Sequence, residues 1–276
     1  MVILYTLLSF MTQIKTLIYL IIIFFPLLCS AVQPHIGHYK MTMGYANNET
    51  GIINIEGKSI YKLERNCNGW DSNEEIAIIF EFNEGNKSTL LSSWSTFESF
   101  SGNAYNFELE EIINDVESEK YFGYANLFNN YGEAKYFSSS KEEGVRENVV
   151  EFPKNIEFPM NHLFSIIENA KKKNKVFQSK VFLGSEIEQN YKIVTAIIGE
   201  EKQTKIDLEG FKQLNNLYWP INLGYFDPLN RTGEPEFEIF AKLHENGVIT
   251  NLTIDYGDFS INSDIFKFEL ISNSNC

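Results

Sequence analysis

The sequence has little positive charge. Its 276 residues include 23 Lys and Arg but 37 Asp and Glu, which gives a formal net charge of −14 at pH 7. Such an acidic chain repels nucleic-acid backbones and anionic lipid headgroups, and the run Lys171–Lys173 is too short to offset this. We therefore expect no nucleic-acid partner, and we interpret the three lysines as the solvated last turn of a helix.

The sequence also lacks the short motifs that mark common enzymes and metal sites. It contains no G-x-S-x-G, no P-loop, no H-E-x-x-H and no C-x-x-C. Its four histidines include His35 and His38, three positions apart, but no Asp, Glu or Cys lies at the spacing of a zinc site. We predict neither a metal nor a cofactor.

One pair of acids and one histidine are the candidates for catalysis. Asp255 and Asp258 flank Tyr256-Gly257, and these aspartates or His162 could serve as acid or base in a cell-wall hydrolase. We favour a strand end followed by a turn, with Gly257 at positive φ. Burial of both aspartates in a shared cleft would support the hydrolase, whereas exposed carboxylates in a turn would count against it.

The first 31 residues differ from all that follows. Residues 1–31 contain one charged side chain, Lys15, and the unbroken apolar stretch Leu17–Phe25. A basic start, a short apolar core and small residues at the −3 and −1 positions predict a secretory signal peptide. Its cleavage would leave residues 32–276 as one mature periplasmic domain, and because only one lysine is lost the net charge would become −15.

Other interpretations of the N-terminus stay open. Residues 1–28 are long enough to cross a bilayer as an anchor. Cys29 could carry a lipid, although Leu28 before it is larger than lipid attachment prefers. The apolar residues ahead of Met11 also leave the start codon open. We expect a protein that is not an integral membrane protein after cleavage.

Export would leave two cysteines, Cys67 and Cys276. Disulfides persist in oxidising compartments, so we predict that these two residues pair. In the chain-entropy model, closing so long a loop contributes about 5 kcal/mol at most. The alternative is two unrelated free thiols.

Alternating hydrophobicity predicts a fold dominated by β-strands. Apolar and polar residues alternate over residues 236–244, 252–256 and 266–270, and Asn246-Gly247 offers a hairpin turn between the first two runs. This is typical of a half-buried antiparallel meander, and about a dozen strands or slightly more are expected. Similar runs occur at Tyr39–Tyr45, Ile52–Glu64, Glu75–Phe82, Tyr105–Glu110, Tyr121–Phe128, Val176–Leu183 and Tyr191–Ile198.

One amphipathic helix interrupts the strands near the middle of the chain. After Phe158-Pro159, apolar residues recur at helical spacing from Leu163 to Ala170, and Asn161 is a candidate N-cap. His162 should orient loop contacts at the helix start instead of binding a metal. The charged, glycine-containing segment Lys141–Asn148 is expected to be an exposed loop.

The order and spacing of several short motifs resemble the envelope integrity protein B family of alphaproteobacteria. The resemblance runs over almost all of residues 34–276. The motifs are Pro34-His35, Cys67-x-Gly69-Trp70, Ser93-Trp94-Ser95, Phe158-Pro159, Trp219-Pro220, Glu245-Asn246-Gly247, Asp255-Tyr256-Gly257-Asp258-Phe259 and the terminal Cys276.

The resemblance implies a periplasmic protein that keeps the cell envelope intact and has no established catalytic activity. It implies a large antiparallel β-spiral, or open-barrel-like sheet, closed by a disulfide between Cys67 and Cys276. We expect a binding or scaffolding β-cradle for a lipid, a peptide, an envelope protein or a peptidoglycan-related component. The cell-wall hydrolase is the alternative function.

Overall fold

A computed structural model of the protein describes residues 32–140, 144–185, 191–204, 206–209, 211, 216–230 and 232–272. The predicted signal peptide therefore lies outside the described residues and stays a prediction. Within the described residues, no helix is both long and apolar enough to span a bilayer.

The described residues form sixteen β-strands, a 3-10 turn and one α-helix. The helix α1 spans Pro159–Lys171, and the 3-10 turn spans Asn83–Gly85. The strands are β1 (His35–Ala46), β2 (Ile52–Arg65), β3 (Gly69–Phe82), β4 (Lys87–Ser99), β5 (Ala104–Ile113), β6 (Val116–Leu127), β7 (Tyr131–Ser140), β8 (Gly144–Pro153), β9 (Ile156–Glu157), β10 (Val176–Val181), β11 (Lys192–Ile198), β12 (Lys202–Gln203), β13 (Leu217–Phe226), β14 (Phe237–His244), β15 (Ile249–Asp255) and β16 (Phe259–Leu270).

All sixteen strands belong to one sheet. Its path runs β8-β7-β6-β5-β4-β3-β2-β1-β16-β15-β14-β13-β11-β10-β9, and the short β12 pairs with β13. Every pairing is antiparallel except that of β9 with β10. Consecutive strands are therefore neighbours almost everywhere, and the single long-range step is the pairing of β1 with β16. The all-β prediction is confirmed.

The sheet curls into a nearly closed barrel-like shape, because residues from its two ends meet inside. The ring of Phe152, at the end of β8, lies 4.9 Å from the ring of Phe182, which follows β10. Tyr105 of β5 stacks on Phe158 at 5.1 Å, and its hydroxyl donates to the carbonyl of Leu183 at 2.9 Å. Aromatic packing thus joins the two ends of the sheet, where no strand ladder links β8 to β9 among the described residues.

Helix α1 covers one end of the barrel. Its buried residues Ile166, Ile167 and Ala170 pack on Trp219 and Leu243 from the ends of β13 and β14. The apolar stripe predicted from the sequence is confirmed. The predicted cap is wrong: the N-cap is Phe158 and Pro159 is the first helical residue, because proline is pre-organised for that position.

A glutamate from the sheet takes the place of the missing cap. The buried Glu98 of β4 accepts hydrogen bonds from the backbone N–H of Met160 at 2.7 Å and of Asn161 at 2.9 Å. Burial raises the pKa of the Glu98 carboxyl to about 7, although the two N–H donors act to lower it. The turn that contains Gly102 also packs tightly against the start of the helix. A Cβ on Gly102 would lie only 1.7 Å from the side-chain amide nitrogen of Asn161.

The expected loop over residues 141–148 is wrong in part. Residues 141–143 lie outside the described residues, but Gly144 begins β8 and Ser138 pairs with Arg146. Charged residues are tolerated there because β8 ends the sheet path and its outward side chains face water, as at the exposed Glu147.

Only one cysteine of the predicted disulfide is among the described residues. Cys67 lies in the turn between β2 and β3, whereas Cys276 lies outside the described residues, so the pairing stays a prediction. The register favours it: β2 and β16 run in the same direction on either side of β1, and both Leu63 and Leu270 lie opposite His35. Leu63 and Leu270 therefore lie at the same end of the sheet.

We expect the Cys67→Ser variant to fold but to melt at a lower temperature than the oxidised wild type. The predicted bond would contribute about 5 kcal/mol at most, and native strain reduces this value. Thermal unfolding followed by circular dichroism measures the difference, with reduced wild type as the matched control. Equal melting temperatures for the variant and the oxidised wild type would show that no such bond stabilises the fold.

We also expect Glu98→Ala to weaken the fold in a pH-dependent way. At pH 5 the free energy of unfolding of the variant should be about 1–3 kcal/mol lower than that of wild type, because two N–H groups at the helix start lose their acceptor. The ordinary pKa of this carboxyl is 4.5, so between pH 4.5 and 7 the folded wild type keeps a proton that the unfolded chain releases. Wild-type stability therefore falls by up to about 3 kcal/mol as pH rises through this window, and the variant lacks this fall.

Urea unfolding at pH 5 and pH 8 measures both effects, and Glu108→Ala, which removes an exposed carboxylate from β5, is the control. The difference in the free energy of unfolding between wild type and Glu98→Ala should be smaller at pH 8 than at pH 5. A difference that increases with pH would mean that the carboxylate, and not the neutral acid, is the stabilising form.

Candidate functional site

The two candidate aspartates lie in a turn. Asp255 ends β15 and accepts a hydrogen bond from the N–H of Gly257 at 2.9 Å, and Gly257 has φ 86°. Asp258 is exposed and accepts a hydrogen bond from the side-chain amide of Asn47 at 2.7 Å. This is the turn that the sequence predicts. Because each carboxylate bonds to the turn or to a neighbouring loop, their geometry gives no support to a hydrolase.

His162 is a buried link between α1 and the sheet. Its Nδ1 lies 3.1 Å from the carboxylate of Glu157 on β9 and 2.9 Å from the hydroxyl of Ser179 on β10. The same carboxylate accepts a hydrogen bond from Ser165 at 2.7 Å. Both oxygen partners share one ring nitrogen, so the group is not arranged as a nucleophile, base and orienting acid in series. His162 thus joins the helix start to strands β9 and β10, whereas the sequence predicted contacts with a loop.

The other two candidate histidines do not meet. Strand alternation places His35 and His38 on opposite faces of β1. His35 is buried, its ring 5.5 Å from that of Phe268, and burial lowers its pKa. His38 lies on the outer face near Glu269 at 3.3 Å. In the part of the chain that the structure describes, no three His, Cys, Asp or Glu residues are grouped as metal ligands.

Part of the inner face of the sheet is less deeply buried than the core that α1 covers, and we call the surface there the lumen. The register places certain residues of β2 to β5 and of β14 and β15 on the same face as the fully buried core, yet they remain only half-buried. Each of these side chains therefore keeps some contact with solvent. These residues are Tyr61, Ser72, Glu74, Ile76, Ser92, Trp94, Glu111, Phe237, Ile239, Leu252 and Ile254.

One wall of this lumen carries a polar patch centred on Glu74. Glu74 of β3 pairs in register with Tyr61 of β2 and with Trp94 of β4. Burial raises the pKa of the Glu74 carboxyl, and a hydrogen bond with Ser59 lowers it by less. Beside it, the hydroxyl of Ser72 lies 2.6 Å from that of Thr96.

The opposite wall is apolar. Ile239 of β14 and Leu252 of β15 face inward and pack on the core that α1 covers, together with Tyr61. A lumen with one apolar wall and a few polar groups on the other is the usual form of a site for an amphiphilic ligand.

Tyr256 marks the rim of the lumen at the end away from α1. It follows β15, is 44% exposed, and its pKa is raised by burial and then by the carboxylates of Glu111 and Glu74. Glu111 of β5, Glu74 of β3 and Tyr256 therefore lie near enough to interact electrostatically.

A second concavity lies on the outer face of the same strands. It has a volume of about 560 Å³ and is lined by aromatic residues of β4 and β6, including Phe97, Phe122 and Tyr124. Phe122 is 54% exposed and stacks on Phe137 of β7 at 5.2 Å.

Comparisons with known proteins match the chain to one family by sequence and to a solved structure by fold. The family model described as EipB-like matches residues 28–272. The protein named "Cell envelope integrity protein EipB" of Brucella abortus (strain 2308) is 26% identical over 247 residues, which cover 87% of this chain and 86% of that protein. A crystal structure from Brucella abortus, titled a beta-barrel-like protein of domain of unknown function DUF1849, matches with a TM-score of 0.80. It is 24% identical, and the match covers 88% of this chain and 99% of that one.

We expect the Ser59→Ala variant to raise the pKa of Glu74 further, because the Ser59 hydroxyl is the group that favours the ionised carboxyl. Carboxyl ¹³C chemical shifts followed against pH measure this, with the Glu74→Gln spectrum to assign the resonance. Ser93→Ala, on the outer face of β4, is the control. A Glu74 pKa that falls or stays constant in Ser59→Ala would show that the two side chains are not coupled.

Proposed function

The chain belongs to the EipB-like family, and from this premise we propose that it binds an amphiphilic molecule in its lumen as part of maintaining the cell envelope. The relative from Brucella abortus is named for cell envelope integrity, which supports the envelope role. We further propose that the mature protein acts in the periplasm, that Cys67 and Cys276 pair there, and that the role is not enzymatic.

One observation carries the binding proposal. Inward-facing residues such as Tyr61, Ile239 and Leu252 are half-buried, although their neighbours on the same face are fully buried. Protein interiors are close-packed, so a folded core leaves large side chains half-covered only where space has been kept. An apolar chain in this space would gain about 25 cal/mol for each Å² of apolar surface that it buries.

The two ends of the lumen differ in a way that suits a bound chain. Helix α1 and its buried residues cover one end, whereas the exposed Tyr256 marks the rim of the other. A ligand would therefore enter past Tyr256 with its apolar part directed toward α1.

Scaffolding is a second candidate function. The outer concavity exposes Phe122, which stacks on Phe137, and exposed aromatic residues are enriched where proteins dock. This surface would serve an envelope protein or a peptidoglycan-related component, whereas the lumen would serve a lipid or a peptide chain.

We expect a variant that fills the lumen to lose binding. Ser92 is a small inward-facing residue of β4 beside Ile76 and Glu111, so Ser92→Trp should occupy the space. Ser93→Trp places the same side chain on the outer face of the same strand and is the matched control. Fluorescence titration with the neutral apolar probe N-phenyl-1-naphthylamine should show binding to wild type and to Ser93→Trp, and at least tenfold weaker binding to Ser92→Trp.

Circular dichroism must show that both variants are folded. Equal binding by folded Ser92→Trp and wild type would place the probe outside the lumen, and absence of binding to wild type would also contradict the proposal. If Ser93→Trp bound the probe more weakly and Ser92→Trp did not, the binding site would lie on the outer face.

A further inference from the structure

We propose that the lumen selects single-chain amphiphiles that carry a protonated amine, and that the carboxyl of Glu74 is the group that recognises the amine. This inference rests on the proposed function, because it names the ligand class of the same lumen. It commits to a lipid-type ligand with an apolar chain and a cationic head.

Glu74 has few partners inside the protein. Within the described residues, the carboxyl of Glu74 bonds to the hydroxyl of Ser59, and no cation pairs with it. Among the described residues, the buried cation Lys192 on the inner face is paired with Glu236. A carboxylate accepts several hydrogen bonds, so Glu74 retains free acceptor capacity on the lumen side.

Burial without a cation disfavours the ionised form of such an acid. The lumen opposite Glu74 is apolar, and an acid in such surroundings is stable only if it is neutral or meets a donor. A ligand ammonium would supply both charge and N–H donors, and charge-assisted hydrogen bonds are about twice as strong as neutral ones. An anionic head would instead bring a like charge toward Glu74 and toward Glu111, which faces the same space.

Aromatic residues flank Glu74 on both neighbouring strands. Trp94 lies directly opposite Glu74 in the β3–β4 register, and Tyr61 lies opposite it in the β2–β3 register. An ammonium held by Glu74 would lie beside these rings, and cations are attracted to the faces of Trp and Tyr. The carboxyl, the two rings and the apolar wall of Ile239 and Leu252 thus match a cationic head joined to an apolar chain.

Three ligands of equal chain length test the selection. Decylamine, decanol and decanoate are each titrated against N-phenyl-1-naphthylamine bound to wild type at pH 8, below their micelle concentrations. Displacement of the probe measures the affinity of each ligand. We expect decylamine to bind at least tenfold tighter than decanoate, with decanol between them. In Glu74→Gln the ratio of decylamine to decanoate affinity should fall to within about threefold, since a lost charge pair in a desolvated site is worth about a factor of ten.

Glu75→Gln is the matched control, because Glu75 is the next residue on β3 and is exposed on the outer face. It removes the same charge from the chain without touching the lumen, so it should keep the wild-type ratio. A ratio that falls equally in Glu75→Gln and Glu74→Gln would assign the selection to overall charge and overturn the inference.

The outcomes separate this inference from the proposed function. If none of the three ligands displaces the probe, the lumen binds no single-chain amphiphile and both proposals fail. If all three bind wild type with equal affinity, the lumen is a binding site but Glu74 does not select its ligand. The wild-type ratio alone distinguishes these two outcomes if Glu74→Gln does not fold.

Discussion

The fold depends on how the N-terminus of α1 is held against the sheet. A helix leaves its first N–H groups without partners, and here the carboxyl group of Glu98 on β4, far away in sequence, accepts hydrogen bonds from two of them. Glu98 is buried, so this contact is shielded from water, and the close approach of Gly102 to Asn161 fixes the same end of the helix. The position of α1 is therefore set by the sheet and not by its own local cap.

The position of α1 determines how the rest of the interior is packed. With α1 held across one end, its apolar face completes a core with the ends of β13 and β14, while Phe182 and its aromatic neighbours join the ends of the sheet. Tyr61, Ile239 and Leu252 pack on the edge of this core but remain only half-buried. The lumen is thus the part of the inner face where a long curled sheet extends beyond the core of a single short helix.

Much of the fold could be predicted from the sequence because strand and helix periods are local. The alternation in β14 and the spacing from Leu163 to Ala170 each identify an element without knowledge of its neighbours. The sequence pattern does not predict strand β4. Serines such as Ser92 and Ser93 occupy both of its faces, so apolar and polar residues do not alternate along it. The helix start was misplaced for a different reason, since its cap comes from Glu98 and no local pattern reveals a distant partner.

The candidate site shows the same limit. Sequence reasoning considered Asp255, Asp258 and His162, which the structure places in a turn and in a buried structural link. It missed Glu74, because the predicted strand began at Glu75 and left the acid outside the pattern. Extending that strand by one residue would have placed Glu74 on the same face as Ile76, and a carboxyl among inward-facing residues is the available signal.

Native mass spectrometry of the protein isolated from its own cells is the sharpest test of ligand binding in the lumen. Spectra of wild type and of Ser92→Trp, followed by organic extraction, would show whether the lumen carries a ligand in the cell. We predict a wild-type adduct with the mass of an amine-bearing lipid, released by organic solvent and lost in Ser92→Trp. A wild-type protein without any adduct, or an adduct that persists in the filled variant, would contradict lumen binding.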